Sequence, residues 1–238
     1  FVLGVRCLTG TGEVMRFGGE VMKNVAGYDV SRLMAGAMGT LGVLLEVALK
    51  VLPRPAFELT LRQELAEAAA IAAANRWAGR PVPLSASCYV DGALYLRLSG
   101  SEAGVRAAAG RMGGDAVAEG DAFWAELREQ RLPFFAGDAP LWRIALPPPA
   151  PSPGPAGAWL IEWGGAQRWL RTAAPAGEVR RSVEDLGGHA TLFRHGDRHG
   201  AVFHPLAPSL QVLHQRLKQA FDPDGILNPG RMYTDIDG

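Results

Sequence analysis

The chain has 238 residues, 48% hydrophobic and 20% charged, with 24 basic and 24 acidic side chains in balance. That length buries the core of one large domain or two small ones, and zero net charge removes the electrostatic case for nucleic acid or an anionic membrane surface as partner. Apolar runs stop well short of the ~20 residues a bilayer needs, so no transmembrane segment is expected; two cysteines, Cys7 and Cys88, cannot alone hold an iron–sulfur cluster and suit a reducing cytoplasm.

In chain order, residues 2–8 read as a strand, Gly10-Thr11-Gly12 as a hairpin turn and residues 13–17 as its partner. Residues 29–34 suggest one helical turn, with Asp29 or Ser31 as cap. Residues 41–52 are apolar enough for a largely buried strand, stopped by Pro53 and Pro55. From Phe57 the texture changes to strands alternating with alanine-rich helices: a strand over 57–61, a helix over 65–77, and strands over 88–90 and 94–98 flanking Asp91-Gly92, a strong hairpin signal. Ser101 caps a helix over 101–110, and another spans 121–130. Strands at 141–146 and 158–163 are separated by PPPAPSPGPAG, which reads as a surface loop without evident chemistry. A strand over 167–172, a helix over 177–186 and a strand over 190–194 follow. The last helix runs over 207–221, with Leu210, Leu213, Leu217 and Phe221 on one face, and Asp222-Pro223-Asp224-Gly225 turns the chain back. The alternation suggests an α+β fold whose middle segment is ferredoxin-like.

Nine of the thirty glycines fall within the first 42 residues, with Asn24 and Thr40 supplying polar groups without bulk. Such a stretch lets backbone approach a ligand closely, though tight turns and bulges use glycine equally. In AGAMGTLG a backbone nest would suit a pyrophosphate or sugar hydroxyls. In KNVAGYD, Tyr28 offers an aromatic plane and Asp29 reads best as a helix cap. HGDRHG, with His195, Asp197 and His199, invites a metal reading, but lacks a helix to fix ligand spacing and reads better as a polar loop from which a histidine could act as acid or base. Asn228, between Pro223 and Pro229, sits on a rigid hook that can hold an amide near a ring, and Arg231 could pair with a carboxylate. The six tryptophans read as core and interface, not as a stacking platform.

The segment GGEVMKNVAGYDVSRLMAGAMGTLGVLLEVALKVLP resembles the second half of the FAD domain in flavoproteins of the vanillyl-alcohol oxidase type (the VAO/PCMH fold). FDPDGILNPGRMY resembles the C-terminal signature of FAD-linked oxidases, and with GHATLFRHGD the whole chain is similar to the FAD-binding E subunits of bacterial glycolate oxidases. The resemblance implies the C-terminal part of a FAD-binding domain over 1–55, a ferredoxin-like α+β cap over 56–220 and a tail over 221–238 returning to the flavin. It implies cofactor contacts from Gly18, Gly19, Lys23, Asn24, Gly27, Tyr28, Gly36, Gly39, Thr40, Leu41, Gly42, Val43 and Asn228, with His195, His199 and Asn228 as catalytic candidates and no metal. Many relatives carry Ser where this chain has Ala37, so one hydroxyl contact is lost.

The activity implied is oxidation of glycolate or a related 2-hydroxy acid to the 2-oxo acid, with hydride transfer to FAD. Partners implied are the 2-hydroxy acid, a second FAD-binding subunit and an iron–sulfur subunit, in a cytoplasmic complex whose peripheral association with the inner membrane is left open. Because family members carry a further stretch upstream, the chain reads as N-terminally truncated, with part of the cofactor site outside it. A non-catalytic assembly subunit supporting a paralogous flavin subunit is the alternative, and an inert fragment unable to hold FAD is a third.

Overall fold

The computed structural model describes residues 1–19 and 29–236. They fall into two compact units: Phe1–Pro53 with Pro205–Gly238, and Arg54–His204.

In the first unit, β1 (Val2–Leu8), β2 (Val14–Gly18) and β3 (Val43–Leu49) form an antiparallel sheet in the order β2-β1-β3. The glycine turn closes the first hairpin, with Leu8 opposite Val14. The short helix α1 (Val30–Leu33) is capped by Asp29, whose carboxylate accepts from the Arg32 N–H at 3.1 Å. The C-terminal helix, Pro208–Phe221, belongs to this unit, although the sequence reading grouped it with the middle segment. Its Leu217 and Phe221 pack on Val5, Cys7, Met34 and Leu41, while Leu210 and Leu213 of the expected apolar face stay exposed. The strand expected at 41–52 forms as β3 but is not buried. Val43, Leu44, Leu45, Val47 and Leu49 are all exposed. A continuous apolar run predicts covering on both faces, and the described residues cover this strand only along the edge it shares with β1.

The second unit opens with β4 (Phe57–Glu64), α2 (Glu67–Ala78), β5 (Leu84–Val90), β6 (Ala93–Gly100), α3 (Glu102–Met112) and β7 (Asp115–Ala116), paired antiparallel in the order β7-β4-β6-β5. This is the ferredoxin-like arrangement, in which two helices cover one face of a four-stranded sheet. Ala70, Ala73, Ala74, Val105 and Ala108 of the helices pack on Leu94, Leu96 and Leu98 of the central strand. The Asp91-Gly92 hairpin forms as expected, both residues left-handed (φ 49° and 77°) between the paired Val90 and Ala93. Ser101 caps α3, accepting from the Gly104 N–H.

After α4 (Gly120–Arg128) the same order recurs. β8 (Leu141–Ala145), β9 (Ala158–Glu162), β10 (Gln167–Arg171), α5 (Ala176–Glu184) and β11 (His189–Arg194) pair as β11-β8-β10-β9. The halves join where Cys88 and Tyr89 of β5 face Glu162 and Ile161 of β9, making one eight-stranded sheet. The fold class is therefore α+β, with the ferredoxin-like order present twice.

In the second half the crossover from β8 to β9 is made by the proline-rich segment rather than by a helix. It is fixed in place: the guanidinium of Arg168, 0% exposed, donates to Ala150 O at 2.5 Å, Ser152 Oγ at 3.1 Å and Gly165 O at 2.9 Å. Thr172 Oγ1 donates to Ala156 O at 2.7 Å. Since a proline run cannot supply helix hydrogen bonds, a buried arginine from β10 donates to one carbonyl and one hydroxyl of the segment, Ala150 O and Ser152 Oγ. Of the tryptophans, Trp124, Trp142 and Trp169 are buried, whereas Trp163 is 63% exposed on a left-handed turn (φ 52°) and is not a core residue.

Candidate functional site

Residues from both ends of the chain meet in the first unit. The segment after α1 turns sharply at Gly36, Met38 and Gly39 (φ 88°, 53° and 75°) and enters β3 through Gly42. Thr40 closes the turn, its N–H and Oγ1 both donating to Ala37 O, at 3.0 and 2.7 Å. Across 190 residues of sequence, Asn228 Nδ2 donates to Met38 O at 2.8 Å. A Cβ on Gly39 would lie 2.6 Å from that amide nitrogen, so a side chain there displaces Asn228. Asn228 is itself left-handed (φ 45°), a conformation that Asn tolerates better than most residues.

Beneath these contacts lies a buried ion pair that the sequence reading missed. Lys218 Nζ stands 2.7 Å from Asp222 Oδ2, with side chains 5% and 0% exposed. The ammonium also donates to Thr40 O at 3.1 Å and Leu227 O at 2.8 Å. Asp222 accepts from the N–H groups of Ile226 (3.2 Å) and Leu227 (2.8 Å). Burial raises the proton affinity of the Asp222 carboxyl, but the bonds from Lys218, Leu227 and Ile226 outweigh it and hold the group below its ordinary value. Gly10 donates its N–H to Phe221 O at 2.8 Å and has no room for a side chain against Asp222. The signal available in the sequence was the Lys-x-x-x-Asp spacing across the end of the last helix.

Between the two chain segments is an open cavity of about 360 Å³, lined by Met34, Ala37, Gly39, Gly42, Val43, Leu44, Ile226, Leu227 and Asn228. None of these side chains is charged. Apolar walls with one amide and exposed backbone suit a flat, largely apolar ring with polar edges. On the other side of the turn a smaller hollow of about 160 Å³ is lined by Leu33, Gly36, Ala37, Thr40, Leu41, Leu217 and Tyr233, among others. Gly36 leaves open space there, and burial raises the Tyr233 phenol.

Of the expected cofactor residues, Gly36, Gly39, Thr40, Leu41, Gly42, Val43 and Asn228 thus come together around one turn. Lys23, Asn24, Gly27 and Tyr28 lie outside the described residues. Gly18 and Gly19 lie elsewhere, in a concavity with Gly4, Arg6, Arg16 and Glu46. Chain-to-chain approach accounts for the glycines there: a Cβ on Gly18 would meet Leu3 O at 2.3 Å, and one on Gly4 would meet Gly19 backbone at 2.8 Å.

His195 and His199 belong to the second unit, both exposed in the loop after β11. His195 is left-handed (φ 57°), and Asp197 accepts from the His199 N–H at 2.9 Å. The loop is held back on β11 by Arg198 donating to Phe193 O at 2.9 Å, by the Leu192 N–H to Val202 O at 2.9 Å and by the Ala190 N–H to His204 Nδ1 at 3.3 Å. Accepting that bond requires a deprotonated Nδ1, and partial burial lowers the His204 pKa.

Residues 206–232 match the family described as FAD linked oxidases, C-terminal domain. Over 236 residues the chain is 51% identical to glycolate oxidase subunit GlcE of Escherichia coli K12, covering 99% of this chain and 66% of that protein, so it spans just under two thirds of that relative's length. It is 41% identical over 61 residues to glycolate oxidase subunit GlcD of Bacillus subtilis, covering 26% of this chain and 13% of that one. Its fold is similar to the crystal structure of p-cresol methylhydroxylase with substrate bound, at a TM-score of 0.62 and 15% identity, over 97% of this chain and 64% of that one.

Proposed function

We infer, from the premise that the chain belongs to the FAD-linked oxidases, that it is part of the flavin-binding subunit of a glycolate oxidase, acting on glycolate or a related 2-hydroxy acid. The observation that carries this reading is the neutral cavity built jointly by the Gly36–Gly42 turn and the Ile226–Asn228 hook, two segments far apart in sequence. Bound there, FAD would supply the acceptor for the two electrons released when a 2-hydroxy acid becomes a 2-oxo acid. The chain's own contribution would be to receive the ring: Met34, Val43, Leu44, Ile226 and Leu227 would line its apolar faces, and Asn228, with one of its two amide N–H groups on Met38 O, would have the other and its Oδ1 for a polar edge. A pyrophosphate or the sugar hydroxyls would be met by backbone N–H groups of the glycine turn rather than by a charged side chain, since the cavity lining has none. In the complex, electrons would leave through a second flavin subunit and an iron–sulfur subunit.

A second reading is favoured by the same lining: no side chain there can exchange a proton near neutral pH, which suits a subunit that holds FAD for assembly while a paralogous partner does the chemistry. His195→Asn and His199→Asn separate the two. Lost turnover with intact flavin content supports catalysis in this subunit, and full turnover supports the assembly role. The test of the shared premise is flavin content of the purified protein by visible absorbance and release on denaturation. Flavin approaching one per chain is expected in the full-length protein, and none there at any FAD concentration would overturn both readings.

Among the described residues no helix is long and apolar enough to cross a membrane.

A further inference from the structure

We propose that Lys218 and Asp222 are positioning residues for the flavin: their ion pair fixes the spacing between the two walls of the cavity. The inference rests on the reading of that cavity as the flavin site. One wall is the Gly36–Leu44 segment and the other is Ile226–Asn228. At the rim they are joined by one bond, Asn228 to Met38. Behind it the joint is Lys218, whose ammonium has three donors and meets one carbonyl from each wall, Thr40 O and Leu227 O, together with its counter-ion. Asp222 grips the second wall independently, through the N–H groups of Ile226 and Leu227. The C-terminal helix thereby sets where both walls stand.

A buried ion pair gains little as a plain stabiliser, because desolvating two charges costs about what their attraction returns, and a well-packed apolar pair serves stability as well. What an apolar pair cannot do is hold two backbone carbonyls at fixed distances from one point. Without the ammonium the Thr40 and Leu227 carbonyls repel, the walls separate, and Asn228 loses its register on Met38.

The test compares Lys218→Met with Leu217→Ala, a neighbouring substitution that loosens the same core without touching either carbonyl, in the full-length protein. Asp222→Asn, which keeps side-chain volume and one acceptor, carries the test if Lys218→Met does not fold. Two readouts are taken: amide hydrogen exchange at Gly39–Gly42 and Ile226–Asn228 without flavin, and affinity and visible spectrum with FAD titrated in. The expected result is faster exchange in both segments together, at least a tenfold weaker FAD Kd than in a Leu217→Ala protein of equal thermal stability, and an altered bound-flavin spectrum. Equal FAD loss in Lys218→Met and Leu217→Ala, with wild-type binding intact, overturns the positioning role alone. A wild-type protein that takes up no FAD overturns the cavity reading and the positioning role with it.

Discussion

At Gly39 two constraints fall on one residue: a φ of 75° that disfavours any Cβ, and Asn228 Nδ2 where that Cβ would stand. Gly39→Ala therefore carries the left-handed cost of about 1–2 kcal/mol and breaks the Asn228–Met38 bond, worth about 1 kcal/mol; urea melts should show a loss near the sum. Asn228→Gly should lose only the bond, whereas Asn228→Ala should lose the bond and add left-handed strain, so Ala should be the more damaging of the two. Asp222 gives a pH signature. Its carboxyl is held below its ordinary value, so the stability it contributes is complete above the unfolded Asp value of about 3.9 and is lost as pH falls below it towards the folded value. Lys218→Met, which leaves the carboxylate buried without its partner, should cost about 3–5 kcal/mol at neutral pH and should reduce or reverse this acid-side loss.

Among the elements, β3 departs most from its sequence. Its exposed valines and leucines form an apolar edge strand, the form of β-structure most prone to pair with another chain. Leu45→Lys should raise the concentration at which the chain stays monodisperse by light scattering while leaving its melting temperature nearly unchanged; a large fall in melting temperature would mean that the strand's side chains are covered after all. The run Leu41–Leu52 was legible as a strand, but whether a partner layer covers it is not a local property. Where the signal was local, sequence and structure agree: the Asp91-Gly92 hairpin needs two left-handed residues, and Ser101 and Asp29 are caps by side-chain reach alone. The proline-rich crossover was legible as a surface loop, but what holds it was not, because Arg168 comes from a strand later in the chain and no composition rule links the two. At the site, the glycine turn and Asn228 could be named from sequence, while Lys218 looked like an ordinary helix residue until the fold brought it to Thr40 and Leu227.

On the scale of the whole chain, two units with separate cores should melt as two calorimetric transitions rather than one. Acid should separate them further. His204, its Nδ1 accepting the Ala190 N–H and its pKa lowered chiefly by burial, with His189 and Arg180 acting the same way and Glu184 opposing, favours the neutral ring in the folded state. Its contribution is present above the ordinary histidine value of about 6.5 and is lost as pH falls through it, so the Arg54–His204 transition should begin to drop near there. The first unit, through Asp222, should hold until the carboxylate range. Simultaneous loss of both transitions at one pH would contradict this assignment.

Each unit also contains one cysteine, Cys7 between strands β2 and β3 and Cys88 at the seam of the two sheet halves, both 0% exposed. A thiol reagent can reach either sulfur only when the surrounding strands part, and burial raises both thiol pKa values, so the closed form is unreactive twice over. The chain thus carries a native chemical clock in each unit. Timed alkylation followed by peptide mass analysis would count how often each one opens, without introducing a label or altering a residue.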